Sequence, residues 1–322
     1  MSKSKSKQMV YLPSNQKGVK GFLHELKRNR VMFLMILPVI IYMIIFAYLP
    51  MGGIILAFKK YNYTDGILGS PWVWFDNFKF LVSGGILARI TRNTVLYNLA
   101  FMIVDMVAQI AVAVMLNEIG KKWFKKLSQS LMFLPYFISF VLVQSISYGI
   151  FSYEYGMLNN LLKSMGMMPV NVYADKGIWP FLLVFFHEWK GLGYGVVVYL
   201  AAITGISGEY FDAARVDGAT KWQQIKFITL PLLKPTAITL FLFAVGRIMK
   251  GQFELFFQLV GKNGLLFETT DIIDTYVFRT ITTSFDPGAS SAAGLYQSFF
   301  GFVLIMVVNT IVKKLQPDYA LF

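Results

Sequence analysis

The residues able to do chemistry in this chain lie in two kinds of place. The first is inside long apolar runs: Asp105, His187, Glu188, Lys190 and Arg247 all fall within stretches that are otherwise strongly hydrophobic. An ionisable group in such a run costs about 2.5–3.5 kcal/mol on insertion scales, so it faces a cavity or a partner of opposite charge. Asp105, His187, Glu188 and Arg247, with Gln144, are candidates to line a polar path for a solute. Tyr136, Phe185 and Trp189 would supply aromatic faces to the same path. A purely structural alternative pairs Asp105 with Arg247 or Lys190 to neutralise charge, lets Arg247 and Lys190 snorkel, and leaves Trp189 packed on lipid. The second place is a polar segment, Ser207–Pro231, reading SGEYFDAARVDGATKWQQIKFITLP.

Catalytic signatures are missing. The chain has no GxxxxGK[ST] phosphate loop, no HExxH and no GxSxG. With no cysteine it has no disulfide, thiolate metal site or cysteine nucleophile. Its histidines are His24, in a basic tail, and His187. The Gly191-x-Gly193-x-Gly195 series sits inside an apolar run, where close helix packing explains it better than phosphate binding.

The elements that position these residues follow from composition. Of 322 residues 56% are hydrophobic and 15% charged, against about 45–50% and 25% in soluble domains. A helix needs about 20 apolar residues to cross the hydrocarbon core. Six stretches qualify: 31–58, 93–116, 127–151, 178–203, 230–250 and 292–312. The first is too long for a signal-peptide core and is read as a retained helix. The net charge of +13 would suggest nucleic acid in a soluble protein. Here the charge lies between apolar runs, so it orients the chain in the membrane and no nucleic-acid partner is expected. With the N-terminus inside, and with Lys234 and Lys250 at the ends of the fifth span counted with their nearer sides, the inner segments carry 18 basic residues and the outer loops ten. That asymmetry places both termini in the cytoplasm. The expected plan is a basic cytoplasmic tail (1–30), a membrane domain (31–316) and a short cytoplasmic C-terminus (317–322). The outer loop 59–92, with Trp72, Trp74, Phe75, Phe78 and Phe80, reads as an amphipathic interfacial segment. No outer loop is large enough to be a solute receptor, so any receptor is another chain.

The 207–231 segment predicts two short helices. Ser207 caps the first, Gly218 ends it, and Thr220 with Gln223 forms a capping box for the second. Pro231 breaks the chain as it re-enters the membrane. Such a pair suits docking into a groove on a soluble partner. The alternative is a helix pair lying on lipid, which Glu209, Asp212 and Asp217 disfavour beside an anionic leaflet.

This segment resembles the EAA motif of permease subunits of bacterial binding-protein-dependent ABC importers. That motif runs Glu-Ala-Ala, three residues, Gly, nine residues, then Ile-x-Leu-Pro. Here Asp212-Ala213-Ala214 is followed at those spacings by Gly218 and by Ile228-Thr229-Leu230-Pro231. Asp212 stands where the motif has Glu. Trp189-Lys190, Tyr199–Ala202, Phe253-Glu254, Asp274–Val277 and Ala293-Gly294 are similar to the oligosaccharide branch, and the likeness covers about 33–314.

The resemblance implies an all-α membrane protein of about six spans with the type I importer permease fold. It implies a multi-pass subunit of the bacterial cell membrane that pairs with a second permease subunit. Two ATPase subunits would bear ATP and Mg, and this chain would hold no cofactor and catalyse no reaction. A solute-binding protein outside would deliver a sugar or oligosaccharide. The ATPase-coupling residues would be Glu209, Asp212, Ala213, Ala214, Asp217, Gly218, Trp222, Ile228, Leu230 and Pro231. The competing readings are a stand-alone ion-coupled secondary transporter and a membrane-embedded enzyme. The first shows no internal repeat and the second no catalytic spacing.

Overall fold

The computed structural model describes residues 25–315, and the tail residues 1–24 and 316–322 lie outside the described part. His24 falls there. The described chain divides into two units at Ile55/Leu56, and each is taken by itself.

The first unit is built on α1, the helical run Arg30–Phe58, which ends in the second. It contains Pro38 and a π-helical turn at Ile44–Tyr48. That turn ends two residues before Pro50. Proline has no N–H, and its ring collides with the carbonyl four residues back. Widening the preceding turn to i→i+5 bonding, seen in the Leu49 N–H to Ile44 carbonyl bond, relieves both problems.

Among its described residues the second unit is built of helices and loops, with one isolated bridge, Lys59 to Trp72. Its main helices are α2 (Asp76–Ser83), α3 (Ile86–Glu118), α4 (Lys122–Phe137), α5 (Phe140–Phe151), α6 (Met157–Ser164), α7 (Trp179–Thr204), α8 (Gly208–Val216), α9 (Lys221–Val245), α10 (Phe253–Val260), α11 (Ile273–Thr282) and α12 (Pro287–Leu315). Five runs are individually long and apolar enough to cross a membrane: α1, α3, α7, α9 and α12. A sixth exists if α4 and α5 are taken as one broken span, since they meet at a 97° bend. The sequence suggests one span over 127–151 in which Pro135 is a tolerated breaker. The break falls at that proline. Leu134–Phe137 tightens to a 3₁₀ turn around Pro135, and Ser139 starts α5 afresh by accepting the Leu142 N–H on its hydroxyl.

The centre of the unit is the α3–α7 pair, which packs with α4 and α9. Glycine is required in α7. A Cβ on Gly193 would lie 2.2 Å from the Met132 carbonyl oxygen of α4, and one on Gly195 would overlap the Gln109 amide of α3. These two residues let neighbouring elements touch α7 directly, the small-residue packing expected in a membrane bundle. Three buried clusters fill the unit. One gathers Tyr97, Trp179, Phe186, Phe256 and Leu266. A second joins Ile90, Met102, Ile248, Ile273 and Ala292. A third joins Val114, Tyr199, Leu200 and Leu233 near the 207–231 segment.

The opposite end of the bundle is tied by one buried carboxylate. Asp271 is 1% exposed and takes both Arg279 guanidinium nitrogens, at 3.0 and 2.7 Å. Arg89 of α3 adds a contact at 3.5 Å. Asn93 donates to the Asp271 and Glu268 carbonyls, at 3.0 and 3.1 Å. In the 59–92 segment Trp72, Trp74 and Phe75 are exposed, while Phe78 packs inward against the second cluster. Lys59 is buried there and donates to the Ile67 and Leu68 carbonyls.

Candidate functional site

The 207–231 segment folds as its sequence dictates. The Ser207 hydroxyl accepts the Glu209 N–H at 3.3 Å and opens α8. The helix closes in a Schellman arrangement: Ala219 N–H donates to the Ala214 carbonyl (2.8 Å), and Gly218 N–H to the Arg215 carbonyl (3.1 Å). This closure needs a left-handed residue, and Gly218 has φ +79°. Thr220 and Gln223 then form the capping box that starts α9, with Thr220 N–H to Gln223 Oε1 at 2.7 Å. Gln224 is buried and donates to the Ala219 carbonyl, fastening the turn from below. Asp212 pairs with Arg215 on the α8 surface.

α9 repeats the device of α1. A π turn, Ile225–Thr229, ends two residues before Pro231. The motif's Ile228-Thr229-Leu230-Pro231 therefore straddles a helix that is widened so that it can continue through a proline.

The segment presents large apolar side chains to the outside. Tyr210, Val216, Trp222 and Phe227 are all exposed, Val216 at 88%. Glu209, Asp212, Ala213, Asp217, Gly218, Leu230 and Pro231 are exposed as well, and Ala214 and Ile228 are half-buried. Between the two helices lies a hollow of about 280 Å³, lined by Ala214, Asp217, Gly218, Gln223, Phe227 and Ile228. Of the ten coupling residues expected from the sequence, Ala214, Asp217, Gly218 and Ile228 line this hollow. Lys221 also reaches Glu118 at the end of α3 (3.2 Å), fixing the segment to the central helix pair.

A second site lies deeper. A cavity of about 640 Å³ opens between α3, α7 and the far end of α9. Asn98, Phe101 and Asp105 line it from α3 and His187 from α7. Arg247, Lys250 and Gln252 close it beyond α9. His187 Nε2 lies 3.1 Å from each oxygen of Asp105, and its ring stacks on Phe101 with centroids 3.9 Å apart. Glu188, the next residue, holds a buried carboxylate beside Asp105.

Of the solute-path residues expected from sequence, Asp105, His187 and Arg247 meet at this cavity. The others do not line it. Tyr136 stacks on Tyr194 (5.3 Å, 13°) at the break between α4 and α5. Trp189 packs edge-on to Phe186 at the border of a core cluster. Phe185 is exposed on α7 and Gln144 is half-buried on α5.

Two pairings differ from expectation. Asp105 takes His187, not Arg247 or Lys190. Lys190 donates instead to the Pro135, Tyr136 and Ile138 carbonyls, at 3.4, 2.6 and 2.5 Å. The Pro135 carbonyl also accepts the Ile138 N–H (3.1 Å), while Lys190 supplies the donor for the Tyr136 and Ile138 carbonyls at the 97° bend, where an unpaired carbonyl is costly in hydrocarbon. Sequence reasoning missed Asn98, Lys250 and Gln252. Asn98 carried a usable signal, because Asn98, Phe101 and Asp105 recur at helical spacing on one face. Lys250 and Gln252 flank a glycine after the helix ends and carried none.

Outside the spans, the surroundings shift two carboxyls. The Lys176 ammonium, 2.5 Å away, holds Glu268 below the usual carboxylate range. Burial pushes Asp274 up, although Gly251 N–H (2.7 Å) and Gln297 Nε2 (2.9 Å) both donate to it.

Known proteins are similar to this chain over most of its length. Protein LplB of Bacillus subtilis is 32% identical over 302 residues, covering 94% of each chain. The polygalacturonan/rhamnogalacturonan transport system permease protein YteP, also of Bacillus subtilis, is 32% identical and covers 92% of this chain and 91% of its own. A chain in the crystal structure of a bacterial ABC transporter involved in import of the acidic polysaccharide alginate superimposes with a TM-score of 0.83 at 30% identity. The match covers 92% of this chain and 99% of the other. The same kind of transporter, in complex with a periplasmic protein bound to an alginate pentasaccharide, gives a TM-score of 0.81 at 31% identity. The family described as binding-protein-dependent transport system inner membrane component matches residues 106–319. That span takes in the motif segment, the α7–α9 framework and Asp105's immediate neighbours, so the chain belongs to the binding-protein-dependent transport system inner membrane component family.

Proposed function

We propose that the chain is one of two permease subunits of an ATP-driven importer in the cell membrane, and that it translocates an oligosaccharide delivered by a solute-binding protein outside. The observation that carries this reading is the exposed, doubly capped 207–231 segment at one end of a bundle that encloses a polar cavity. ATP and Mg are held by two ATPase subunits, each with a cleft that receives one such segment. Relatives named for polysaccharide-derived substrates support the sugar assignment.

The geometry says how force would reach the cavity. The capped segment is short and stiff. Motion imposed on Gly218 and Trp222 passes directly into α9, which is 25 residues long, about 37 Å at 1.5 Å per residue. Arg247 and Lys250 lie just past its far end. The Lys221–Glu118 pair carries the same motion into α3, which bears Asn98 and Asp105. Two walls of the cavity are therefore attached to the surface that meets the ATPase. When the ATPases close on ATP, the two segments of the heterodimer are drawn together and the cavity changes the side on which it opens.

The test is purification of the tagged chain from native membranes in mild detergent, followed by ATP-dependent oligosaccharide uptake in proteoliposomes. A second permease and an ATPase should co-purify, and Gly218→Pro should lose the ATPase. A chain that purifies alone and transports without ATP overturns the reading in favour of a secondary transporter.

A further inference from the structure

The cavity is unevenly charged. Its lining includes two cations, Arg247 and Lys250, and one acid, Asp105. Asp105 is already engaged, with both oxygens on His187. Arg247 is exposed into the cavity and makes no ion pair among the described residues. Nor does its guanidinium satisfy the last carbonyls of α9, the usual role of a basic residue at a helix C-terminus. Lys250 is exposed with no acid within ion-pair distance among the described residues. The acid whose field it feels, Asp274, is occupied by Gly251 and Gln297.

A cation held at a cavity wall among apolar side chains such as Phe101, Met102 and Phe243, with no counter-charge, bears a cost. The cost is offset when the transported molecule supplies the counter-charge. Neutral sugar hydroxyls need amide partners, and Gln252 and the Asn98 side-chain carbonyl oxygen provide them, the Asn98 Nδ2 being taken by the Thr94, Ile248 and Lys250 carbonyls. They do not need a guanidinium fork, whose geometry matches a carboxylate by two parallel hydrogen bonds.

Resting on the importer reading, we infer that the cavity takes an anionic, carboxylate-bearing oligosaccharide, with Arg247 and Lys250 as its carboxylate partners and Asn98 and Gln252 as its hydroxyl partners. Such a substrate is a short chain of uronic acids. The similarity to transporters named for polygalacturonan and for the acidic polysaccharide alginate agrees with the charge. With both Asp105 oxygens on His187, the Arg247 guanidinium stays available to solute.

The experiment uses the complete importer in proteoliposomes, with its second permease, ATPases and solute-binding protein. The probe is a pool of uronate oligosaccharides from pectin and alginate, compared with the same pool after carboxyl reduction to neutral sugars. The wild type should take up the uronate pool in an ATP-dependent manner. Arg247→Gln and Lys250→Gln should each raise the concentration for half-maximal uptake about tenfold, the size of a lost charge-assisted hydrogen bond. Arg247→Lys should restore part of the loss. Size-exclusion chromatography should show the same assembled complex for all variants. If Arg247→Gln and Lys250→Gln handle uronates like wild type, the inference is overturned and the importer reading stands. The same follows if they impair uronates and neutral sugars equally, which would mean that Arg247 holds the subunits together. If neither pool is taken up by the intact complex, the sugar-importer reading fails and the inference with it.

Discussion

Single residues in this chain show both the reach and the limit of reading a sequence for chemistry. Asp105, His187, Lys190 and Arg247 stand out because ionisable groups are expensive in apolar runs. Their partners depend on geometry that no spacing encodes. Lys190 is spoken for by three carbonyls at the α4–α5 break, and that break is itself a tertiary feature. Lys190→Met should therefore destabilise the bundle by about 1 kcal/mol, the size of hydrogen bonds lost at partly buried acceptors, read as a lower unfolding temperature in detergent. Asp271 was not singled out by sequence, because it lies in a loop among ordinary charged residues. Its side chain is fully buried between Arg279 and Arg89. Asp271→Asn should cost about 3 kcal/mol, since it leaves a guanidinium without its counter-charge, and thermal unfolding again reports it. Asp274 offers a pH test. Its folded carboxyl is raised by burial, so the native state holds a proton that the unfolded chain has released. Stability should fall as pH rises from about 4, the ordinary aspartate value, through the raised folded value. Asp274→Asn should flatten that part of the profile of unfolding temperature against pH.

Whole elements were more legible. The caps of the 207–231 segment were readable because they are local: Ser207, Gly218, Thr220 and Gln223 each act within a few residues of themselves. The bend at Pro135 and the π turns before Pro50 and Pro231 were not readable. A proline in a span is tolerated in several ways, and neighbouring helices decide which. The glycines of α7 sit between these cases. Their role in close packing was expected, and the structure assigns it to Gly193 and Gly195, whereas a Cβ on Gly191 would meet nothing within 4 Å. Gly193→Ala should push α7 off the Met132 carbonyl and cost about 1–3 kcal/mol, as overpacking does, while Gly191→Ala should be close to neutral. Comparing the two variants by thermal unfolding separates packing from helix propensity. At the other end, Gly218→Val forces a β-branched residue to φ +79°. It should leave the membrane helices folded by circular dichroism and abolish ATP-driven uptake.

At the scale of the molecule, the span count and membrane class came from composition and run length, which depend on bilayer thickness alone. The cavity did not, because it is assembled from α3, α7 and the segment beyond α9, which lie far apart in sequence. Aromatic residues that looked suited to sugar, such as Tyr136 and Trp189, turn out to pack against other rings. A side chain's type says what it can bind, and only the fold says whether it faces the space where binding occurs. The account as a whole rests on the exposed 207–231 segment being the seat of an ATPase. The chain contains no cysteine, so one introduced at Val216 or Trp222 is unique within it. The most direct measurement is disulfide cross-linking of Val216→Cys and Trp222→Cys to single cysteines placed along the cleft of the co-purified ATPase, in membranes still competent for uptake. The account predicts cross-links at both positions, a change in their yield when ATP is added, and loss of uptake that reductant restores. An assembly that transports sugar on ATP while neither cysteine cross-links to the ATPase would contradict it.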